Sequence, residues 1–491
     1  MKNKIDSDKV NSILDKINFI IIICLIALVP ITFFINYFSL FHFGSRFTFK
    51  IHQVLTFILP IEIFIHFYKL FTRRHRIDIF DLLIYLLILF GIISTIYAED
   101  VNLAIWGSIY RYEGLVQICA YYMLFLNSRF INKKELIVKI VNSLIIVGIL
   151  QFIYSFLQVF VRGRYIYVKY EYVFYRASGF IGHPNMLGSY VVLTLLLALG
   201  MYFLYDKNKK FYLISSILLY INLILAESTG PFYGFICGLI FMFAYLLKKK
   251  KIHFSSVIIT SMLVVIGLLG VTITSRVWCA EKFHDRFRDD FTIIGDVNDT
   301  FTIIKELFIN SNYAVSDVQF VAANSSFTGN YVQTVNFDKS ETNDEVQTRK
   351  IERYGSNRIW LWSRSLKLVP KYWLHGTGID NFTNAFSETL TEEDKSIQYL
   401  RESLFDRAHN EYLHLLVTQG VFAFIAYLML LLFVFIKGIK SKDLITWVLL
   451  FGFVGYAIQA FANISVYNVA PFFFIVMGML VGRELNKDSN E

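Results

Sequence analysis

Long apolar runs recur along this chain, and short polar segments separate most of them. A run of about 18 or more apolar residues is long enough to cross the hydrocarbon core of a bilayer as a helix. A helix also satisfies its own backbone hydrogen bonds in lipid, so the pattern predicts an all-α polytopic membrane protein. About twelve transmembrane helices are predicted, and the fourth of them is short. Their limits are residues 17–38, 52–71, 80–97, 114–128, 136–160, 184–205, 211–226, 231–247, 254–273, 411–437, 443–463 and 467–483.

One polar segment is much longer than the others and divides the chain. It covers residues 274–410, between the ninth and tenth predicted helices. We therefore predict helices one to nine in 1–273, an extracytoplasmic loop in 274–410, and the last three helices with a cytoplasmic tail in 411–491. Within the loop, residues 354–368 show a helical pattern of apolar positions, which predicts an amphipathic helix at the outer membrane surface. Pro370 is predicted to end this helix.

Charged residues are scarce and unevenly distributed. They make up 17% of the 491 residues, against 56% hydrophobic residues, which excludes an ordinary soluble protein. Basic residues concentrate in alternate loops, such as 73–76 and 248–251, so the positive-inside rule makes these loops and both termini cytoplasmic. The other loops then face outward across the cytoplasmic membrane. This topology accounts for the net charge of +9, and we predict no nucleic-acid partner.

The sequence predicts neither a cofactor nor a metal site. Its four cysteines form no CxxC pattern, and Cys24, Cys119 and Cys237 lie inside apolar runs. No pair of acidic residues in the outward segments calls for a metal ion. Glu62, inside the second predicted helix, would be costly in lipid and is a minor functional candidate.

Four of the predicted outward segments carry polar residues suited to chemistry. His409 is the most informative of these residues, because it lies where the long polar segment ends and the tenth predicted helix begins. Histidine has a near-neutral pKa, which suits a proton acceptor in chemistry on a lipid-linked substrate. The four segments are residues 107–114, residues 176–185, residues 357–360 leading to 375–382, and residues 406–412.

The motifs in these segments resemble the O-antigen ligase and polymerase superfamily of membrane glycosyltransferases. The resemblance covers residues 111–432, and it rests on the order, spacing and shared outward placement of the motifs. It implies a GT-C-like, all-α membrane fold of about twelve helices, with one large outer loop between helices nine and ten. The motifs are Tyr110-Arg111-Tyr112-Glu113-Gly114, Gly179 with His183-Pro184-Asn185-Met186-Leu187-Gly188, Arg358 with Gly376-Thr377-Gly378, and Ala408-His409-Asn410-Glu411-Tyr412-Leu413 followed by Gly420.

The same resemblance implies an activity. A glycan would pass from an undecaprenyl-diphosphate carrier to an acceptor hydroxyl on the outer face, with inversion at the anomeric carbon and without a metal. His409 would be the base, and the planar guanidinium of Arg358 would bind the diphosphate. The family commonly has an arginine in the outer turn after the seventh helix, where this chain has Thr229. Arg111 or Arg176 would then supply the missing positive charge.

Structural roles stay open for several of these residues. Pro184 suits the first turn of a helix, so His183-Pro184-Asn185 could simply shape the start of the sixth span. Arg111 and Glu113 could form a structural pair at the membrane interface, and Gly376-Thr377-Gly378 could be a turn. The predicted supporting residues are Glu113, Asn185, Asn410 and Glu411.

Several functions also stay open. A ligase would pass the glycan to a lipid anchor, a teichoic-acid-type carrier or a protein, whereas a polymerase would pass it to a second lipid-linked repeat unit. A transporter or flippase for the same material would show ionisable or helix-breaking residues near the bilayer midplane in paired halves, and the sequence has few. A non-catalytic scaffold would tolerate loss of the outer arginines and histidine. Membrane lipids are the remaining expected partners.

Overall fold

The computed structural model describes residues 2–28, 51–72, 74–108, 112–160, 176–250, 358–391, 405–464 and 467–488. The chain divides into two compact units, Met1–Leu268 with Leu361–Glu491, and Leu269–Trp360. Residues 358–360 are the described part of the second unit. The three regions that we predicted from the sequence stay predictions.

All regular structure in the described residues is helical, which confirms the all-α prediction. Two short 3-10 turns, Gly179–Ile181 and Ala460–Ala462, accompany the α-helices. The α-helices are α1 Lys2–Leu28, α2 Ile51–Phe71, α3 Ile79–Ile96, α4 Val101–Trp106, α5 Leu115–Ser128, α6 Lys134–Phe160, α7 Pro184–Leu204, α8 Lys209–Leu225, α9 Thr229–Lys248, α10 Arg358–Tyr372, α11 Phe382–Ser387, α12 Glu411–Lys440, α13 Leu444–Gln459 and α14 Ala470–Asp488.

Eight described helices are long and apolar enough to cross a membrane, namely α1, α2, α3, α6, α7, α9, α12 and α13, the last extended to Ala462. Each coincides with a predicted span, and α5, α8 and α14 coincide with three more. The protein is therefore a multi-pass membrane protein. The predicted span 254–273 lies outside the described residues, so the total of about twelve remains a prediction.

Helix α1 begins well before the first predicted span. Its polar half is bound to the end of α2 and the following loop. Asp15 Oδ1 lies 2.9 Å from Lys69 Nζ, and Asp15 Oδ2 lies 2.6 Å from Arg74 Nη2. Asn11 Nδ2 donates to Thr72 Oγ1 at 3.2 Å. Hydropathy identifies only the apolar half of such a helix, because the polar half is stabilised by contacts between distant segments.

One end of the helical bundle is joined by buried ion pairs. Arg129, after α5, reaches the start of α3, where its Nη1 lies 2.9 Å from Asp78 and its Nη2 lies 2.6 Å from Asp81. His75 Nε2 lies 2.7 Å from Asp81 Oδ2. We call these four residues the Arg129 cluster. Arg483 Nη1 in α14 donates to the backbone oxygen of Asn132 at 2.7 Å, so loops that we predicted to be cytoplasmic meet at one end.

Small residues let α9 and α13 approach closely. A Cβ atom added at Gly234 would lie 2.5 Å from the backbone oxygen of Gly455, and one added at Gly238 would lie 2.5 Å from Leu196 in α7. Such glycines are typical of membrane helix interfaces, where backbone packing replaces the hydrophobic effect as the driving force. The α7–α9–α13 core forms the rigid frame for the polar segments at the other end of the bundle.

Helix α12 is broken at Gly420, which has φ 83°. A helix break in a membrane leaves backbone groups that need other partners. The loop after α10 supplies them, because Thr377 N donates to Val417 O at 2.9 Å, Gly378 N donates to Thr418 O at 3.1 Å, and Val421 N donates to Trp373 O at 2.7 Å. We call this set of bonds the backbone clasp. The Gly376-Thr377-Gly378 motif is therefore a turn, which is one of the interpretations of the sequence. Its backbone groups pair with those that the break in α12 leaves without a helical partner.

Helix α10 differs from the prediction at its C-terminal end. Pro370 lies inside the helix, which continues to Tyr372, so the prediction that this proline ends it is wrong. Proline in the last turn removes one backbone hydrogen bond, and the helix ends two residues later. Gly376 N then donates to Tyr372 O at 2.8 Å, which closes the helix end.

Candidate functional site

Arg407 joins three chain segments at the end of the bundle opposite the Arg129 cluster. Its Nη1 lies 2.7 Å from Glu113 Oε2, and its Nη2 lies 3.1 Å from Asp380 Oδ1. All three side chains are buried. Ser108 N donates to Asp380 Oδ2, so the backbone of the 107–114 segment joins the same group. We call Arg407, Glu113 and Asp380 the Arg407 cluster.

The flanking loops are tied together by a second pair of residues. Asp100 N donates to Asn381 Oδ1 at 2.9 Å, and Asn381 Nδ2 donates to Asp100 O at 3.1 Å. Asp100 also caps the short helix α4, where its side chain accepts from Leu103 N. The segments before α5 and after α10 therefore form one rigid surface around Arg407.

The ion pairs keep Arg407 charged. Burial lowers the pKa of its guanidinium, but the nearby carboxylates of Glu113 and Asp380 outweigh this effect, and the net pKa is raised above the usual arginine value. A buried arginine with two buried carboxylate partners is costly to disrupt, because losing the cation would leave two uncompensated charges. Sequence reasoning missed Arg407 and Asp380, and it offered Arg111 as a partner for Glu113. Arg111 lies outside the described residues.

His409 is fixed in its backbone on both sides. It has φ 49°, in the left-handed region, and it is half-buried. Ala408 before it is fully buried, and Asn410 after it caps α12 by accepting from Leu413 N at 3.0 Å. A left-handed conformation is uncommon for residues other than glycine, and the contacts of Arg407 and Asn410 on either side hold His409 in it. Asn410, predicted as a supporting residue, supports the site as a helix cap.

A cavity lined by aromatic and aliphatic side chains together with several charged ones lies beside the start of α12. It has a volume of about 80 Å³, which is enough for several water molecules. Tyr427 Oη donates to Glu411 Oε1 at 2.6 Å at its wall. Glu411 therefore binds a buried tyrosine, and it lies two residues after His409. The residues that line the cavity are Glu113, Ile118, Tyr121, Tyr122, Ile379, Asp380, Arg407, Glu411, His414, Leu415, Thr418, Gln419, Tyr427 and Phe474.

Arg176 lies against the turn that precedes α9. Its Nε donates to Ala226 O at 3.2 Å, and its Nη2 donates to Asn185 Oδ1 at 2.9 Å. Ser228 Oγ donates to the same Asn185 oxygen at 3.0 Å. The guanidinium is thus bound to the three-residue turn immediately before Thr229, the position at which the family commonly has an arginine.

Buried amides extend this group into the bundle. Asn463 Nδ2 donates to Asn185 O at 3.0 Å and to Ser189 Oγ at 2.8 Å, and Ser189 Oγ donates to Gln459 Oε1 at 3.0 Å. We call Arg176, Asn185, Ser189, Gln459 and Asn463 the Asn185 network. His183 Nδ1 accepts from Asn185 N at 3.2 Å at the start of α7, so the motif also shapes this helix start, as the structural reading of the sequence had it.

The Arg407 cluster and the Asn185 network lie at the same end of the bundle. Tyr412, three residues after His409, donates through its Oη to Ala457 O at 2.6 Å in α13. Its ring lies 4.5 Å from that of Phe461, in the 3-10 turn that leads to Asn463. The structure therefore brings Glu113, Arg176, Asn185, His409 and their neighbours to one end, as the predicted topology requires. Arg358 begins α10 but belongs to the other compact unit, so it is not placed relative to them.

The described residues contain one group of acidic and histidine side chains close enough to share a metal ion. His75, Asp78 and Asp81 offer ligand atoms within 4.8 Å of one another. Arg129 already lies between them, with nitrogen atoms 2.6–3.1 Å from an atom of each. The arginine supplies the positive charge that a metal would supply, so this group fits an ion-pair cluster and not a metal site.

These features define a class of protein, an all-helical multi-pass membrane protein with histidine and arginine side chains gathered at one end of its bundle. Residues 213–428 match the family model described as O-antigen ligase. This match supports membership of the O-antigen ligase and polymerase superfamily, which the motifs in the sequence also resemble. The matched region runs from α8 into α12 and includes Thr229, Arg358, Arg407 and His409. A search of curated proteins gave no match.

Proposed function

We propose that this protein is a ligase-type membrane glycosyltransferase that moves a glycan from undecaprenyl diphosphate to an acceptor hydroxyl. Membership of the superfamily supports the general class, a ligase or polymerase of surface glycans. One observation carries the more specific proposal. The backbone of His409 is anchored on both sides, at the bundle end where Arg176 is also held.

The reaction is a direct displacement. His409 accepts the proton of the acceptor hydroxyl while its oxygen attacks the anomeric carbon from the face opposite the diphosphate. The new C–O bond forms as the bond to the diphosphate oxygen breaks, and the electron pair leaves with the diphosphate. The configuration inverts, and His409 later releases its proton to water. No oxidant, reductant or metal is part of this step.

Cations near the leaving group lower the barrier, because negative charge develops on the diphosphate as the bond breaks. We assign this role to Arg358 and Arg176. The contacts of Arg176 with Ala226 and Asn185 support this assignment, since they hold a guanidinium at the turn where the family has its arginine. They support Arg176 as the substitute for the arginine missing at Thr229, and Arg111 lies outside the described residues.

The proposed location follows from charge and contacts together. We place the protein in the cytoplasmic membrane, with both termini in the cytoplasm and the His409 end outside. Loops rich in lysine and arginine support this orientation, and the ion pairs from Arg129 to Asp78 and from Arg483 to Asp443 support a shared end for those loops. Donor, acceptor and lipids would reach the site from the outer leaflet.

The test is the variant His409→Ala in the native host, with surface glycans and the lipid-linked pool profiled. His375→Ala is the matched control, because His375 lies at the same end, is also half-buried, and stacks on Tyr97 with a centroid distance of 4.6 Å. We expect the control to retain the normal profile. We expect loss of a surface glycan and build-up of full-length carrier-linked chains in His409→Ala.

Other outcomes separate the alternatives. Build-up of single repeat units would indicate a polymerase that uses the same base. An unchanged profile in a well-expressed His409→Ala protein would refute the catalytic role of His409 and favour transport or a scaffold. Accumulation of the carrier-linked glycan on the cytoplasmic side only would indicate a flippase.

A further inference from the structure

The Arg407 cluster connects parts of the chain that are far apart in sequence. Glu113 precedes α5, Asp380 follows α10, and Arg407 precedes α12. The guanidinium bonds a different carboxylate through each of its two terminal nitrogens, at 2.7 Å and 3.1 Å. A planar fork can bridge two acceptors in this fixed way, whereas the compact ammonium group of lysine cannot. The cluster therefore sets the position of residue 407 relative to two other segments.

His409 lies only two residues after Arg407, so the position of Arg407 constrains the backbone of His409. Ala408 is fully buried and His409 is in the left-handed region, so neither has much freedom once Arg407 and Asn410 are fixed. Asn410 is fixed by its cap on Leu413 N. If Arg407 were released, His409 would be free to return to a more common backbone conformation, and its imidazole would move.

We propose that Arg407 is a positioning residue for the base, and that it fixes the orientation of the His409 imidazole through its two carboxylate partners. The inference rests on the proposed function, in which His409 is the base. It assigns to Arg407 no contact with the glycan or the diphosphate. Its effect is on the rate of the chemical step, through the alignment of the base.

The chain provides a matched control for a purely structural role. Arg129 is also buried, with its side chain 3% exposed against 6% for Arg407, and it also pairs with two carboxylates, Asp78 and Asp81. It lies at the opposite end of the bundle. Arg129→Lys therefore removes the same kind of bidentate ion pairing without touching the His409 segment.

The experiment compares Arg407→Lys, Arg129→Lys and His409→Ala, each purified in nanodiscs. The substrate is a membrane extract from a host strain that lacks the protein, which supplies carrier-linked glycan and acceptor. We measure release of the polyprenyl diphosphate, from which kcat and KM follow, and thermal stability. A displacement of about 1 Å at a reacting group can lower the rate about 10²-fold, and this is the loss of kcat that we expect for Arg407→Lys, with KM nearly unchanged. Arg129→Lys should lose stability and keep its kcat.

Each result has a distinct meaning. A kcat for Arg407→Lys that falls no further than that of Arg129→Lys, at equal stability, would overturn the inference. If Arg407→Lys does not fold, Asp380→Asn decides, because it keeps the cation and removes the negative charge of one of the two carboxylates that orient it. An unchanged kcat in folded Asp380→Asn would also overturn the inference. Normal turnover in His409→Ala would instead refute the proposed function.

Discussion

Gly376→Ala tests the backbone clasp between the loop after α10 and the broken helix α12. Gly376 has φ 73°, and a Cβ atom at this position would overlap the carbonyl of Thr418 and the nitrogen of Gln419. Both neighbours are backbone atoms of a packed membrane helix, so they have little room to move. The loop must therefore withdraw from α12 to relieve the overlap.

The cost can be estimated from the bonds that are lost. A left-handed conformation costs alanine about 1–2 kcal/mol. Withdrawal also breaks the bonds from Thr377 N to Val417 O and from Gly378 N to Thr418 O, worth about 1 kcal/mol each. The total is about 3–4 kcal/mol, which corresponds to roughly 10²- to 10³-fold more opening of the loop.

Hydrogen exchange followed by mass spectrometry measures this opening in the peptide that covers residues 373–381. Gly91→Ala in α3 is the control, because its added Cβ atom would meet only the flexible side chain of Leu115 closely, at 3.1 Å. We expect exchange in Gly376→Ala to rise by the factor given above and exchange in Gly91→Ala to change little. A rise of less than about tenfold in Gly376→Ala would show that the clasp is not rigid. Equal rises in hydrogen exchange in Gly376→Ala and Gly91→Ala would also show that the clasp is not rigid.

Two further predictions concern the polar residues of the site. Arg176→Ala should lower glycan transfer by about 10-fold or more, because it removes a charge near the leaving group. Thr229→Arg in the same chain should restore part of the transfer. Failure of this rescue, with normal expression, would contradict the assignment of Arg176 to the family position. The Arg407 guanidinium should stay charged throughout the neutral range. A raised arginine pKa means that its stabilising contribution is complete at lower pH and is lost only as the pH rises through that raised value. The protection factor of the Ser108 amide, which donates to Asp380, should therefore stay constant from about pH 6 to about pH 9, and a fall within this range would contradict the charge state that we assign.

The sequence was sufficient to predict the membrane helices of the described chain. Predicted span 184–205 corresponds to Pro184–Leu204, and 136–160 corresponds to Lys134–Phe160. Apolar length identifies such helices because lipid leaves few other structures for an apolar run. The limit appears in α1, where Asp15 and Asn11 stabilise the polar half through contacts with the end of α2 and the loop after it. Hydropathy carries no information about such contacts.

The candidate site was predicted less completely, because it also depends on contacts between distant segments. His409, Arg176 and Asn185 follow from local motifs, and topology alone places them at one end. The local signal for Arg407 and Asp380 is weak, because their pairing depends on distant segments that converge. Arg407 lies 27 residues from Asp380 and 294 residues from Glu113 in the sequence. A charged residue beside a recognised motif, at the border of an apolar run, was the available clue, since such a residue must find a partner when it is buried.

Each end of the bundle has a buried arginine paired with two carboxylates, but the two arginines have different roles. Arg129 joins the end of α5 to the start of α3. Packing already holds both helices, so the arginine adds stability and does not set their positions. At the other end, the Arg407 cluster joins loops, which are also held by the Asp100–Asn381 pair and by the backbone clasp. Loops held by buried ion pairs and by the clasp on α12 can keep a histidine in an unfavourable backbone conformation. We infer that the membrane helices supply rigidity at the site through these few contacts, and that loss of any one of them should affect the His409 segment more than the fold.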